Sequence, residues 1–267
     1  MIIEISNNSS PGASFTKNTN NVILKTYEWI CENKGMSLPF RDFRMKLESD
    51  KGINDNNNRN IFPLLRNGEL VSYEPNNDIF VNDFFTKEGL AYAKVLELSK
   101  KIDESDYSKE QKNEAQEKII NIRQEIIYDS LIRIVRKPEV NYAESIKDFV
   151  KFVLKYEKIS KVEYAYLIYE QKTKNIEESL KDMEQNIQRY REGILEFEVD
   201  VEVRNDIEIR EKTKSKKRKE GLSFLTSYTY FVGLLQQAGL LEKQGNYYCI
   251  VEESRKRMEL LGGNNNE

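Results

Sequence analysis

The residues best suited to chemistry in this chain are amides, hydroxyls and lysines rather than a catalytic set. Asn56, Asn57, Asn58, Arg59 and Asn60 form an uninterrupted polar run. Asparagine pairs bidentately with adenine and arginine with guanine in the major groove, so this run has the side chains of a base-reading surface. The same residues also suit a capping loop, because Asn favours turns and helix starts. Asn76 and Asn77 lie in a turn-rich segment that could touch phosphate or the minor groove. Ser223, Thr226, Ser227, Tyr228 and Thr229 open a later helix, where hydroxyls and free N–H groups favour anions. Ser223 also serves as an ordinary N-cap. Just before them come Lys212, Lys214, Lys216, Lys217, Arg218 and Lys219. Such a run neutralises several phosphates and makes binding salt-dependent, or it is a solvated loop.

Other chemistries are disfavoured. The chain has no histidine, which removes the usual general base, zinc ligand and triad member. Asp200, Glu202, Asp206, Glu208 and Lys212 resemble the carboxylates and lysine of a Mg²⁺ nuclease. Asp200 and Glu202 nevertheless continue the polar face set by Glu196 and Glu198, and a solvated strand face explains all four. We therefore expect no catalytic residue, no metal and no cofactor. The two cysteines, Cys31 and Cys249, are expected to be reduced, buried thiols in a cytoplasmic protein. No run of about eighteen apolar residues exists to cross a membrane, and Met1 to Thr19 lack the basic and apolar parts of a signal peptide. The net charge of −3 argues against a wholly basic nucleic-acid coat but leaves room for local patches.

The elements that must position these residues follow from periodicity. Val22, Ile23, Thr26, Trp29 and Ile30 mark one helix face over 21–33, closed by Gly35. Pro39 suits the start of a second helix through Leu47. Asn54 or Asp55 can cap a third, with Ile61, Phe62, Leu64 and Leu65 inward and Pro63 expected to kink or shorten it. Leu70 to Tyr73 and Ile79 to Val81 read as two strands around a turn. A helix then covers 87–101, and a long one runs from the Ser108/Gln111 capping box to Lys137. Its stripe of Ile119, Ile122, Ile126, Ile127, Leu131 and Ile134 packs inside a domain or forms a dimer seam. Helical patterns cover 144–156, 161–171 and 176–191. Leu195 to Ile209 alternates with period two and reads as a strand. A helix over 223–238 precedes a hairpin whose halves are 240–242 and 247–251, and a last helix covers 252–261.

The order helix, helix, helix, hairpin is that of a winged helix. The expected fold is mainly α, with two winged-helix subdomains (helix-turn-helix plus β-hairpin) joined by a helical linker. Residues 1–18 are expected as a flexible tail, 19–104 as the first winged-helix domain and 105–138 as the linker helix. Residues 139–261 would form the second helical/winged-helix domain and 262–267 a frayed end. The expected function is sequence-specific binding of double-stranded DNA. A dimeric winged-helix transcription regulator and a Mg²⁺-dependent nuclease are the alternatives.

Several stretches resemble the DNA-recognition portion of type IIS restriction and nicking endonucleases of the AlwI-like group. They are Lys158–Ile168 (KISKVEYAYLI), Ile176-Glu177-Glu178, Ile187 with Arg189 or Arg191, Ser227-Tyr228-Thr229, and Leu234–Leu240 (LLQQAGL). The resemblance spans roughly residues 140 to 250. It implies winged-helix recognition subdomains followed by a metal-dependent nuclease domain. No residue here maps onto that family's catalytic carboxylates and lysine. The resemblance thus implies a recognition part whose catalytic domain or subunit is supplied elsewhere.

Overall fold

Apolar residues at helical spacing place most of this chain in helices, and local capping sets where each begins. The computed structural model describes residues 1–6, 8–202 and 225–263, with the backbone alone for 200–202. The fold is mainly helical with small sheets. It divides into two compact units, one of Pro11–Val140 with Gly233–Gly239 and one of Met1–Ser10, Asn141–Val232 and Leu240–Glu267.

In the first unit, α1 (Lys17–Glu32) starts where the Thr16 side chain accepts from the Thr19 N–H at 3.3 Å. It buries Val22, Ile23, Trp29 and Ile30. The short strand β2 (Ser37–Pro39) leads into α2 (Phe40–Lys51), which Gly52 ends at φ 65°. Only glycine adopts that left-handed conformation without strain. Asn54 then caps α3 (Asp55–Asn67) by accepting from the Asn56 N–H at 2.8 Å. Pro63 lies inside α3, yet the helix runs unbroken to Asn67. The lost hydrogen bond is outweighed by burial of Ile61, Phe62, Leu64 and Leu65 on either side of the ring.

The hairpin expected after α3 takes a different form. Strand β3 (Asp78–Phe80) pairs antiparallel with β2, Leu38 opposite Ile79. Leu70 to Tyr73 makes a single bridge, Val71 to Phe85. Aromatic packing explains the displacement. Tyr73 stacks on Phe40 at 4.0 Å, and Phe84 lies 4.8 Å from Phe43 and 5.2 Å from Phe62. A regular two-strand ladder would pull Tyr73 and Phe84 out of this cluster. After a short 3₁₀ turn come α4 (Lys87–Glu104) and α5 (Lys109–Val135). The Ser108/Gln111 capping box is present. The α5 helix, expected as a linker, packs against α3 and α4 within the first unit. Its Ile119, Ile127, Leu131 and Ile134 are buried, whereas Ile122 faces solvent.

The second unit begins where a flexible tail was expected. Ile2–Ser6 forms β1, paired in parallel with β5 (Glu198–Glu202). Ile3 and Ile5 are buried between exposed Ile2, Glu4 and Ser6. Period-two burial with a backbone partner is what orders this segment. Helix α6 (Ala143–Tyr156) buries Ile146, Phe149, Val150 and Val153. It is followed by β4 (Lys158–Ile159), α7 (Lys161–Glu170), α8 (Ile176–Asp182) and α9 (Glu184–Arg191). A single helix was expected over 176–191, and it is broken at Met183. Beyond β5 come α10 (Thr226–Gln237), of which the part from Gly233 belongs to the first unit, then β6 (Leu241–Gln244), β7 (Tyr247–Ile250) and α11 (Arg255–Leu261). The strands form an antiparallel sheet in the order β4-β7-β6.

A half-buried carboxyl on α6 is expected to make the stability of this unit depend on pH. Asp148 on α6 accepts from Gln171 Nε2 at 2.6 Å through Oδ2, while Oδ1 is buried with no partner among the described residues. Burial pushes its pKa above the ordinary 3.8, opposed by the Gln171 hydrogen bond and Lys151 and reinforced by Glu144 and Glu177. The folded state therefore holds this proton more tightly than the unfolded state. Ionised Asp148 costs stability at neutral pH, and the cost disappears as pH falls through the raised value towards 3.8. Asp148→Asn is expected to be more stable than the parent in urea at pH 7. That advantage should vanish below about pH 4. A constant difference across this range would contradict the assignment.

Candidate nucleic-acid interface

The α3 helix divides its polar run between two faces. Asn56, Arg59 and Asn60 are exposed, Asn57 is half-buried and Asn58 is fully buried. Neither the nitrogen nor the oxygen of the Asn58 amide has a partner among the described residues. The expectation that Asn58 reads bases is therefore corrected: its amide is closed to any outside ligand. Asn56, Arg59 and Asn60 sit at i, i+3 and i+4, so they share one outward stripe.

Arg59 donates through Nε to Asp55 Oδ2 at 2.7 Å, and Arg44 binds the other Asp55 oxygen at 2.7 Å. The Arg59 side chain is 65% exposed. An exposed i,i+4 pair contributes only about 0.3–0.5 kcal/mol. A bidentate guanine contact is worth about 1–3 kcal/mol of discrimination, so the Asp55 pair orients Arg59 without locking it away.

The loop after α3 is less favourable. Asn76 and Asn77 are exposed, and the Asn77 carbonyl accepts from the Phe40 N–H. Glu74, Asp78 and Asp83 surround them, and residues 74 to 83 contain no lysine or arginine. These carboxylates repel phosphate, which weighs against the expected phosphate contact by Asn76 and Asn77.

Two cations not singled out by sequence lie on the preceding helix. Arg41 and Lys46 on α2 are exposed and have no ion-pair partner among the described residues. In a helix-turn-helix, the helix before the reading helix crosses the DNA backbone. Their signal was present in the sequence as the polar complement of buried Phe40, Phe43 and Leu47.

The second set of expected contacts is only partly accessible. Thr226 and Thr229 on α10 are exposed. Ser227 is fully buried beside the Tyr164 hydroxyl at 3.4 Å. Tyr228 is also buried and donates to the Ile159 carbonyl at 3.4 Å, with burial raising its pKa. Ser227 and Tyr228 thus hold the core and are corrected as DNA contacts. A Cβ on Gly233 would meet Ser14 Oγ at 2.9 Å, so Ser14 covers the middle of this helix. Lys212, Lys214, Lys216, Lys217, Arg218, Lys219 and Ser223 lie outside the described residues, as do Asp206 and Glu208.

A buried clasp supports the sheet beside α7. Glu163 is fully buried and binds Arg191 Nε at 2.6 Å. Its other oxygen accepts from the Ser160 N–H at 2.7 Å, completing a capping box. Arg191 also donates to the Tyr156 and Lys158 carbonyls at 2.9 and 2.8 Å. On the sheet surface, Lys158 Nζ lies 4.5 Å from the Tyr247 ring centre. Thus α9 is tied to the start of α7 and to β4.

Among the described residues, no group of three histidine, cysteine, aspartate or glutamate side chains is placed to hold a metal. No described helix is long and apolar enough to cross a membrane. Both cysteines are free; Cys31 is exposed and Cys249 half-buried, which corrects the expectation of two buried thiols. Comparison with protein-family models, curated proteins and solved structures gives no match to this chain.

Proposed function

We propose that this chain is a sequence-specific, double-stranded DNA-binding module and that α3 is its principal reading helix. The outward stripe of Asn56, Arg59 and Asn60 carries the proposal. Its chemistry suits adenine and guanine edges, and its helix buries the opposite face.

Element order supports the same reading. In the first unit, α1, β2, α2 and α3 precede β3, which pairs back onto β2. In the second, α6, β4, α7, α10, β6 and β7 follow one another with α8, α9 and β5 inserted, and β7 lies between β4 and β6. We read both as winged helices. Arg41 and Lys46 would hold the phosphate backbone beside α3, and the Lys212–Lys219 run would add sequence-independent phosphate contacts of its own. Thr226 and Thr229 are the remaining candidates on α10. The resemblance over residues 140 to 250 extends the proposal. By it, the chain acts as the recognition part of a restriction endonuclease, with cleavage supplied by another domain or subunit.

Fluorescence anisotropy on short duplexes tests the roles separately. Arg59→Ala is expected to reduce preference for the best duplex over a scrambled one by about 1–3 kcal/mol. Neutralising the six cations of 212–219 is expected to weaken both duplexes alike and to flatten the salt slope, by about 0.9 for each phosphate no longer neutralised. If neither change alters affinity, preference or slope, the proposal fails.

A further inference from the structure

We propose that the first unit carries a binding site for a small amphipathic carboxylate, in the groove between the end of α1 and the start of α4. The groove encloses about 400 Å³, within the range of small-molecule sites. Ile30 forms part of its floor, and Tyr27, Phe85 and Leu90 present half-buried apolar surface. Tyr27 and Phe85 meet edge to face at 6.4 Å. These rings and methyl groups suit an aryl or short alkyl group.

Charge selects the other end of the ligand. Lys34 and Lys94 both line the groove and are exposed, and neither has a carboxylate partner among the described residues. Glu97 acts electrostatically on Tyr27, and Glu97 is itself paired to Lys101 at 2.8 Å. Two ammonium groups beside apolar surface leave positive charge without a counter-ion, and a carboxylate attached to an apolar body satisfies both features at once.

The site is preformed. The Gly35 N–H donates to Asn82 Oδ1 at 3.3 Å, and the Val81 N–H to the Met36 carbonyl at 3.0 Å. These bonds fix the segment after α1 against the segment before α4. No lining residue belongs to α3, so this proposal stands independently of DNA reading.

Cys31 lies in the groove and reports occupancy. In a Cys249→Ser variant it is the sole thiol. Its alkylation by N-ethylmaleimide, an uncharged reagent, would be followed with 4-phenylbutyrate and with 4-phenylbutan-1-ol as probes. Phenylbutyrate is expected to slow labelling saturably, about tenfold at ten times its Kd, because only free protein reacts. The alcohol should protect at least several-fold less. Adding Lys34→Glu and Lys94→Glu should remove the advantage of the carboxylate, with the folded state checked by circular dichroism. Unchanged labelling, equal protection by the alcohol, or undiminished carboxylate protection in the charge-reversed variant would each overturn the site.

Discussion

Gly89→Ala is expected to destabilise the first unit by about 3 kcal/mol or more, lowering its melting temperature by roughly 10 °C. A Cβ at this position would collide with the Leu70 carbonyl oxygen and lie 2.6 Å from its carbon. Both atoms are backbone, so no side chain can swing aside. The Leu70 carbonyl also accepts from the Thr86 N–H, and the Thr86 hydroxyl caps α4 by accepting from the Gly89 N–H at 3.1 Å. Relieving the clash therefore breaks the junction between Leu70 and the start of α4. Gly52→Ala provides the control. That residue has φ 65°, but a methyl group added there would meet nothing within 4 Å. Only the left-handed backbone is penalised, by about 1 kcal/mol. Thermal denaturation of the two variants distinguishes a steric collision from ordinary backbone strain. Equal small shifts would show that Leu70 and α4 are not in this contact.

Arg191→Met is expected to cost the second unit about 3–5 kcal/mol, because it leaves Glu163 as a buried, uncompensated charge. Arg191 is replaced in this variant by a side chain of similar length that cannot donate. The carbonyls of Tyr156 and Lys158 lose their donors at the same time. Glu163→Gln keeps an acceptor for the Ser160 N–H but removes the charge. The double variant Glu163→Gln/Arg191→Met is therefore expected to be more stable than Arg191→Met alone. A urea-denaturation double-mutant cycle measures the coupling, which should exceed about 1 kcal/mol for such a pair in contact. Additive single effects would mean that the clasp does not tie α9 to α7 and β4.

Helices are legible in the sequence because their signals are local. The Ser108 capping box, the Asn54 cap and the stripe of α1 each lie within a few residues. Strands β2 and β4 span three and two residues, too short to display a period. Strand β1 is hidden differently. Its alternating Ile3 and Ile5 precede an Asn/Ser-rich stretch that reads as a tail, and its partner β5 begins only at Glu198. Nothing local announces a pairing at that separation.

The buried site residues are another matter, since their helical phase is visible in the sequence. Asn58 stands three, four and seven residues before Ile61, Phe62 and Leu65, all buried on α3. Spacing alone assigns it to the inner face. Ser227 likewise precedes Phe231 and Leu234 by four and seven residues, and Tyr228 precedes Phe231 and Leu235 by three and seven. Their hydrogen-bonding groups suggest chemistry where periodicity already indicates packing. Arg41 and Lys46 show the converse, being exposed cations in an otherwise ordinary amphipathic helix.

Selection of duplexes from a random pool by the full chain, followed by a salt titration of the enriched sequence, tests DNA reading most directly. The expected result is one enriched motif whose log affinity falls linearly with log salt and whose consensus loosens at one position in Arg59→Ala. A pool that stays random after repeated rounds, with no retention of duplex at low salt, would contradict it.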